Sequence, residues 1–355
     1  MQNGSGRLIS MRCLSALCIE FPSFRVGVVA ITAIKWPSRA FFLIGAPRCG
    51  TTSLAVALAQ HPRICFSEPK ETHYFIHVPE DLDPGRLEAE YIRTFFRADQ
   101  MSRDILGEAS PSYLYSPPAI RAIDRLFPAA RFLVMVRNPL EMLPSWHARV
   151  LFTMDEDVAN FEDAWRLQEL RAKGRSIPAK CRDWRMLQYA EVGRLGARLA
   201  ELIQIVGRDR VKAIVFDDFT STPLVVYREV LDFLVVEHDE RTEIARMNGT
   251  KAYRSPLIQR LLMRPPRVAR LIVPRTVGPS EPHFVGRLVK RLRKANVVRS
   301  HWQPISARMR EELVDCVRDD VDLLGRLLNR DLGHWLDVET RSVVSQPRRR
   351  MAAAE

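Results

Sequence analysis

From Gly45 to Leu54 the chain reads GAPRCGTTSL, directly after the apolar run AFFLI at residues 40–44 and leading into SLAVALA at residues 53–59. A buried strand, a glycine-bounded loop and a helix start, in that order, turn backbone N–H groups and the positive end of a helix dipole toward one anion. The hydroxyls of Thr51, Thr52 and Ser53 can face the same anion. A nucleotide-kinase loop of this type carries Lys directly after its second glycine. Here that position is Thr51, and the nearby cation is Arg48, two places before Gly50. The anion site is kept, but the chemistry performed on it must differ.

The elements that position this loop read as an alternation of strands and helices. Strands are expected at residues 40–44, 64–66, 104–107, 131–136 and 211–216. Helices are expected at residues 88–96, from Pro117 to Phe127, from Leu140 through His147, from Pro223 to Leu234 and from Glu311 to Leu328. The stretch from Asp183 to Val206 also has helical periodicity. Prolines in first turns and just past helix ends, as at Pro117-Pro118 and Pro128, punctuate the pattern. RFLVMV at residues 131–136 and VKAIVF at 211–216 are apolar and β-prone without alternation, as strands covered on both faces are. The predicted fold class is α/β: a P-loop-containing three-layer fold with a central, mostly parallel sheet flanked by helices.

The 355 residues suffice for one large α/β domain, and 46% apolar with 27% charged residues is an ordinary globular composition. The expected organisation is a poorly specified leader at 1–38, one domain at 39–338 and a tail at 339–355. The net charge of +12 is concentrated: residues 251–300 hold thirteen Lys or Arg against one acid, Glu281. Such a segment suits contact with a polyanion or a membrane surface, or is a solvated helical excursion. It carries no motif that reads nucleic acid, and no nucleic-acid partner is expected. The six cysteines show no CxxC pair and no metal-like spacing with histidine, so reduced thiols, a cytoplasmic location and no metal are expected. The apolar stretch 26–34 is too short to span a bilayer.

GAPRCGTTSL resembles the 5′-phosphosulfate loop of the sulfotransferases that use 3′-phosphoadenosine 5′-phosphosulfate (PAPS) as co-substrate and release the bisphosphate PAP. About ninety residues on, RFLVMVRNPLEMLPS at 131–145 is similar to that family's 3′-phosphate motif: a strand, then Arg137, then a helix carrying Ser145. Between them, PKETHYF at 69–75 resembles the Lys-Glu-x-x-Phe-Phe motif of the heparan-sulfate type enzymes and their bacterial relatives. GEASPSY at 107–113 looks like their acceptor-side segment. The late segment VKAIVFDDF with its following helix, and His334-Trp335, extend the likeness from about Ala40 to Trp335.

The resemblance implies roles residue by residue. Thr51, Thr52, Ser53 and the loop amides from Cys49 to Gly50 would hold the 5′-phosphate, and Arg137 with Ser145 the 3′-phosphate. Lys251 and Arg254 would add 3′-phosphate contacts, as a late basic loop does in the family. Arg48 stands where the family usually has Lys; it would offset charge on the bridging oxygen without donating a proton. Glu71 would be the general base for an acceptor hydroxyl or amine, with Lys70 near the sulfuryl oxygens and His73 orienting Glu71 or replacing it as base. The implied acceptor is a carbohydrate, a glycolipid or a small molecule. Two other classes remain open: a P-loop nucleotide kinase or hydrolase, and a basic, non-catalytic polyanion-binding protein.

Overall fold

The computed structural model describes residues 36–78, 83–100, 102–245, 251–263, 291–299 and 305–337. The expected leader up to residue 35, the tail from residue 338 and most of the basic segment lie outside the described residues.

Five strands, β1 (Ala40–Gly45), β2 (Ile64–Phe66), β3 (Ile105–Ala109), β4 (Arg131–Val136) and β5 (Val211–Val215), form one sheet in the order β2-β3-β1-β4-β5. Every neighbouring pair is parallel. All six residues of β1 and five of the six in β4 are buried, which is why both read as continuous apolar runs. The helices are α1 (Thr51–Ala59), α2 (Pro84–Phe95), α3 (Pro117–Leu126), α4 (Pro139–Thr153), α5 (Phe161–Arg166), α6 (Gln168–Ala172), α7 (Tyr189–Gly193), α8 (Leu195–Val206), α9 (Phe216–Ser221), α10 (Pro223–Leu234), α11 (Pro256–Met263) and α12 (Ala307–Leu328). A two-stranded antiparallel ribbon, β6 (Lys251–Tyr253) with β7 (Val297–Arg299), stands apart from the main sheet.

The chain leaves β1 toward β2 and β3 and only later crosses to β4, so β1 lies between strands that follow it. In parallel sheets the loops at such a reversal diverge and leave a crevice at the carboxyl ends. Three segments meet that edge: the loop after β1, Arg137 directly after β4, and the segment holding Glu71, whose N–H donates to Ala109 O at the end of β3 (3.0 Å). Beneath it, Phe42 packs on Phe75, Phe127 and Phe132 with ring centroids 6.0, 5.6 and 6.1 Å away, and Phe75 lies 4.8 Å from Tyr91. Phe75 thereby anchors the Glu71 segment to the core.

The structure differs from the sequence expectations at several element ends. α2 starts at Pro84 rather than residue 88, because the Asp83 carboxylate accepts from Arg86 N, and β3 runs from Ile105 to Ala109 rather than 104–107. α4 runs past His147 to Thr153, because buried Val150 and Phe152 continue its core face. The periodicity from Asp183 to Val206 is not one helix but a 3₁₀ turn (Trp184–Leu187) followed by α7 and α8. The break at Arg194 is stabilised from outside: Asp320 of α12 accepts from Gly196 N and Ala197 N, both at 2.8 Å, and so caps α8. β5 stops at Val215, and Phe216 opens α9. α12 starts at Ala307 because the Ser306 hydroxyl accepts from Met309 N. His334-Trp335 closes the fold beside the crevice: Trp335 O accepts from Asn138 Nδ2 (3.1 Å) and its indole N–H donates to Asp217 (3.2 Å).

Candidate active site

Ala46 N donates to Met135 O (2.7 Å), which ties the start of the loop to β4. Gly50, at φ +89°, caps α1. A Cβ there would stand 3.0 Å from the Phe216 ring and 3.2 Å from Met135, so both conformation and space require glycine. Gly50 O accepts from Ser53 N (3.0 Å) and Leu54 N (3.3 Å), so the amides that precede them open the helix toward the loop, and its first turn contains no acidic residue. Thr51 and Ser53 are buried and Thr52 is half-buried. The Cys49 side chain turns into the core, where burial pushes its thiol up to about 12, so this residue offers only its backbone to a ligand.

Gly50, Thr51, Thr52 and Ser53 line a cavity of about 170 Å³ together with Arg48 and Arg137. Its other wall comes from Phe216, Phe219 and Thr220 of α9, with Pro223. The two motifs that are about ninety residues apart in sequence therefore share one cavity. The Arg137 guanidinium lies 4.6 Å over the Phe216 ring. It is paired with Glu141 (Nη2 2.8 Å, Nε 3.3 Å), and its Nη1 donates to Arg48 O at 3.2 Å. Buried Ser145 faces Arg48, whose Nε donates to its hydroxyl at 2.9 Å. Burial first, then repulsion from Arg149 and Arg137, lowers Arg48 from the usual guanidinium range to about 10, so it stays charged at neutral pH.

At the neighbouring part of the edge, Lys70 Nζ meets Glu71 Oε1 at 2.6 Å, and His73 Nε2 stands 3.8 Å from Glu71 Oε2. Glu71 sits at φ +65° and His73 at +51°. The other ring nitrogen of His73 bonds Ser112 Oγ at 2.7 Å. Burial lowers the His73 pKa, opposed chiefly by the Glu71 charge, so its ring is neutral at pH 7. Lys70, Glu71 and His73 thus form one cluster.

Sequence reasoning missed two groups. Phe216 supplies the aromatic wall under Arg137, hidden because the residue reads as the end of a strand. Arg149 feels the charges of both Glu71 and Arg48 and so spans the two clusters; burial and Arg182 lower its pKa while Glu71 opposes them. The signal for Arg149 was its spacing: four residues after Ser145, it shares that face of α4. Lys251 lies in β6, paired in register with Arg299, and Arg254 is exposed with its N–H bonded to Asn296 O. Among the described residues no contact links Arg254 to the loop cavity.

With this geometry in place, the chain can be compared with known proteins. No family model matches it. It is 31% identical to carbohydrate sulfotransferase 15 of Rattus norvegicus and 30% identical to that of Homo sapiens, over 30% of this chain in each case. The match spans about a quarter (26%) of the length of these relatives. Among solved structures, a sulfotransferase from Alicyclobacillus acidocaldarius shares 25% identity and a TM-score of 0.56, over 84% of this chain and 98% of the other. The fold is that of the sulfotransferases. These likenesses support a PAPS-dependent sulfotransferase.

Proposed function

We propose that the protein transfers a sulfuryl group from PAPS to a hydroxyl or amine of an acceptor, by in-line displacement with Glu71 as general base. The observation that carries the reading is the shared cavity: the Thr51–Thr52 turn and Arg137 face one space, as holding both phosphates of one nucleotide requires. The residues fit that ligand. The amides of the α1 N-terminus and the hydroxyls of Thr51 and Thr52 hold the 5′-phosphate. Arg137, braced on Phe216, holds the 3′-phosphate, and Ser145 acts through Arg48, whose guanidinium it orients.

Glu71 takes the proton of the acceptor as the new oxygen–sulfur or nitrogen–sulfur bond forms and the bond from sulfur to the bridging phosphate oxygen breaks. Arg48 offsets the negative charge left on PAP. Lys70 stabilises the sulfuryl oxygens, and His73 holds Glu71 in line. Catalysis is then mostly positioning and charge stabilisation, as in phosphoryl transfer. The likeness to carbohydrate sulfotransferase 15 favours a sugar hydroxyl as acceptor.

The test supplies PAPS carrying labelled sulfate with a panel of glycans, glycolipids and phenols, and measures PAP binding by calorimetry. Label should appear on a glycan or glycolipid. Absence of PAP affinity would overturn the reading.

A further inference from the structure

Glu108, on β3, is 1% exposed, and no cation is paired with it among the described residues. Four hydroxyls surround its carboxylate instead. Oε1 accepts from Thr72 at 2.9 Å and from Ser110; Oε2 accepts from Tyr91 at 2.6 Å and Tyr113 at 3.3 Å. Three of these hydroxyls are used twice. Ser110 Oγ accepts from His73 N (3.1 Å), Thr72 Oγ1 from Tyr74 N (3.3 Å) and Tyr113 OH from Phe75 N (3.4 Å). These are three successive amides at the start of the 3₁₀ turn Tyr74–Ile76, donors that such a turn leaves without internal partners.

The pattern has a direction. Each relay hydroxyl accepts an N–H and lies within reach of Glu108 with its own hydrogen, and Thr72 Oγ1 also stands 3.1 Å from Tyr113 OH, so one hub joins all three. Burial raises the Glu108 pKa, and its hydroxyl donors oppose that shift. Tyr91 adds the tie to α2. The segment fixed in this way begins one residue after Glu71 and includes His73, both held at positive φ, a conformation that non-glycine residues do not adopt without support. An amide in place of the carboxylate would turn a donor toward two of the hydroxyls. Those two would lose the acceptor that now takes their hydrogens, and the order of the relay would be broken.

We propose that Glu108 is the positioning residue of the Glu71 segment: through Thr72, Ser110 and Tyr113 its carboxylate clamps the amides of residues 73–75 and so aims the base. The proposal rests on the reading of Glu71 as that base. Glu108 itself touches no substrate.

The test compares the full-length protein with Glu108→Gln, Thr72→Val and Thr72→Ser by amide hydrogen exchange, following residues 72–76 and, as a reference, residues 46–58. Glu108→Gln should speed exchange at residues 73–75 at least tenfold and leave the reference segment within twofold. Thr72→Val should speed Tyr74 alone, and Thr72→Ser, which keeps the hydroxyl, should match the wild type. With the acceptor found by the labelled-sulfate screen, kcat of Glu108→Gln should fall about 10- to 100-fold while the Kd for PAP stays within twofold. Unchanged exchange at residues 73–75 in both Glu108→Gln and Thr72→Val would overturn the proposal. So would acceleration spread equally over both segments, since that is plain loss of stability. If Glu108→Gln does not fold, the Thr72 pair decides alone. PAP binding by the wild type reports separately on the sulfotransferase reading.

Discussion

Arg48 Nε donates to Ser145 Oγ across 2.9 Å, so a loop residue that follows β1 is held by the helix that follows β4. Arg137 closes the link by donating to Arg48 O. The two motifs form one assembly, in which Ser145 sets where the Arg48 charge stands. Ser145→Ala should therefore reduce kcat about tenfold, since a hydrogen bond to a charged group contributes about 1.5–3 kcal/mol. PAP affinity should fall less. A kcat equal to wild type would show that Arg48 needs no such support.

Arg137→Ala should weaken PAP binding by about 10- to 150-fold, the loss of one charged hydrogen-bonding group at a phosphate. Arg137→Lys should recover only part of it, because lysine offers a point charge without the planar fork that now stacks on Phe216. Calorimetric titration with PAP checks both. Equal affinities for the wild type and Arg137→Ala would remove Arg137 from the nucleotide site.

Glu71→Gln tests the base. It keeps the shape of the side chain and its contact with Lys70, and removes the proton acceptor. Turnover should fall by about 10²–10⁴-fold, the usual contribution of a positioned base, with PAP affinity unchanged. His73→Gln should have a smaller effect, since at 3.8 Å from Glu71 His73 orients rather than reacts. If Glu71→Gln retained most of its turnover and His73→Gln lost it, the roles would be exchanged.

What was legible in the sequence is what local chemistry writes. β4 at Arg131–Val136 and α10 at Pro223–Leu234 were read to the residue, because uninterrupted apolar runs and a first-turn proline mark them. The loop at Gly45 to Ser53 was legible because its glycines and hydroxyls have one common use. What was hidden depends on partners distant in the chain. The start of α8 is capped by Asp320, more than a hundred residues later, and nothing in the local periodicity records that cap. The tie between Arg48 and Ser145 spans 97 positions; the sequence offered both residues and could not show that they meet.

Asp320 yields a stability prediction. Its carboxylate meets the two N-terminal amides of α8 at 2.8 Å while lying largely buried between two helices, and Gly196 lets α12 approach so closely that a Cβ there would lie 2.4 Å from Asp320 O. Asp320→Ala should destabilise the fold by about 1–2 kcal/mol as a lost cap, read from the denaturant midpoint. Gly196→Ala should destabilise it more, because the obstruction is backbone. No change in midpoint for either variant would mean that α8 begins where it does for local reasons.

Acid should weaken the fold as its buried histidines take up protons. His61, His73 and His147 all have their pKa lowered from 6.5, in each case first by burial. A histidine whose folded pKa lies below its unfolded one binds its proton more readily in the unfolded chain. In the window between the two values the unfolded state therefore carries more protons, and stability rises with pH. Lowering the pH from 8 through 6.5 should consequently reduce the denaturant midpoint, with the slope steepest below 6.5. His147, on the buried face of α4 with its ring bonded to Val158 O at 2.9 Å, isolates one of these contributions. His147→Gln can lower stability overall, yet its midpoint should depend less on pH between 6.5 and 5 than that of the wild type. A wild-type midpoint that stayed flat or rose over that interval would contradict the burial of neutral histidines.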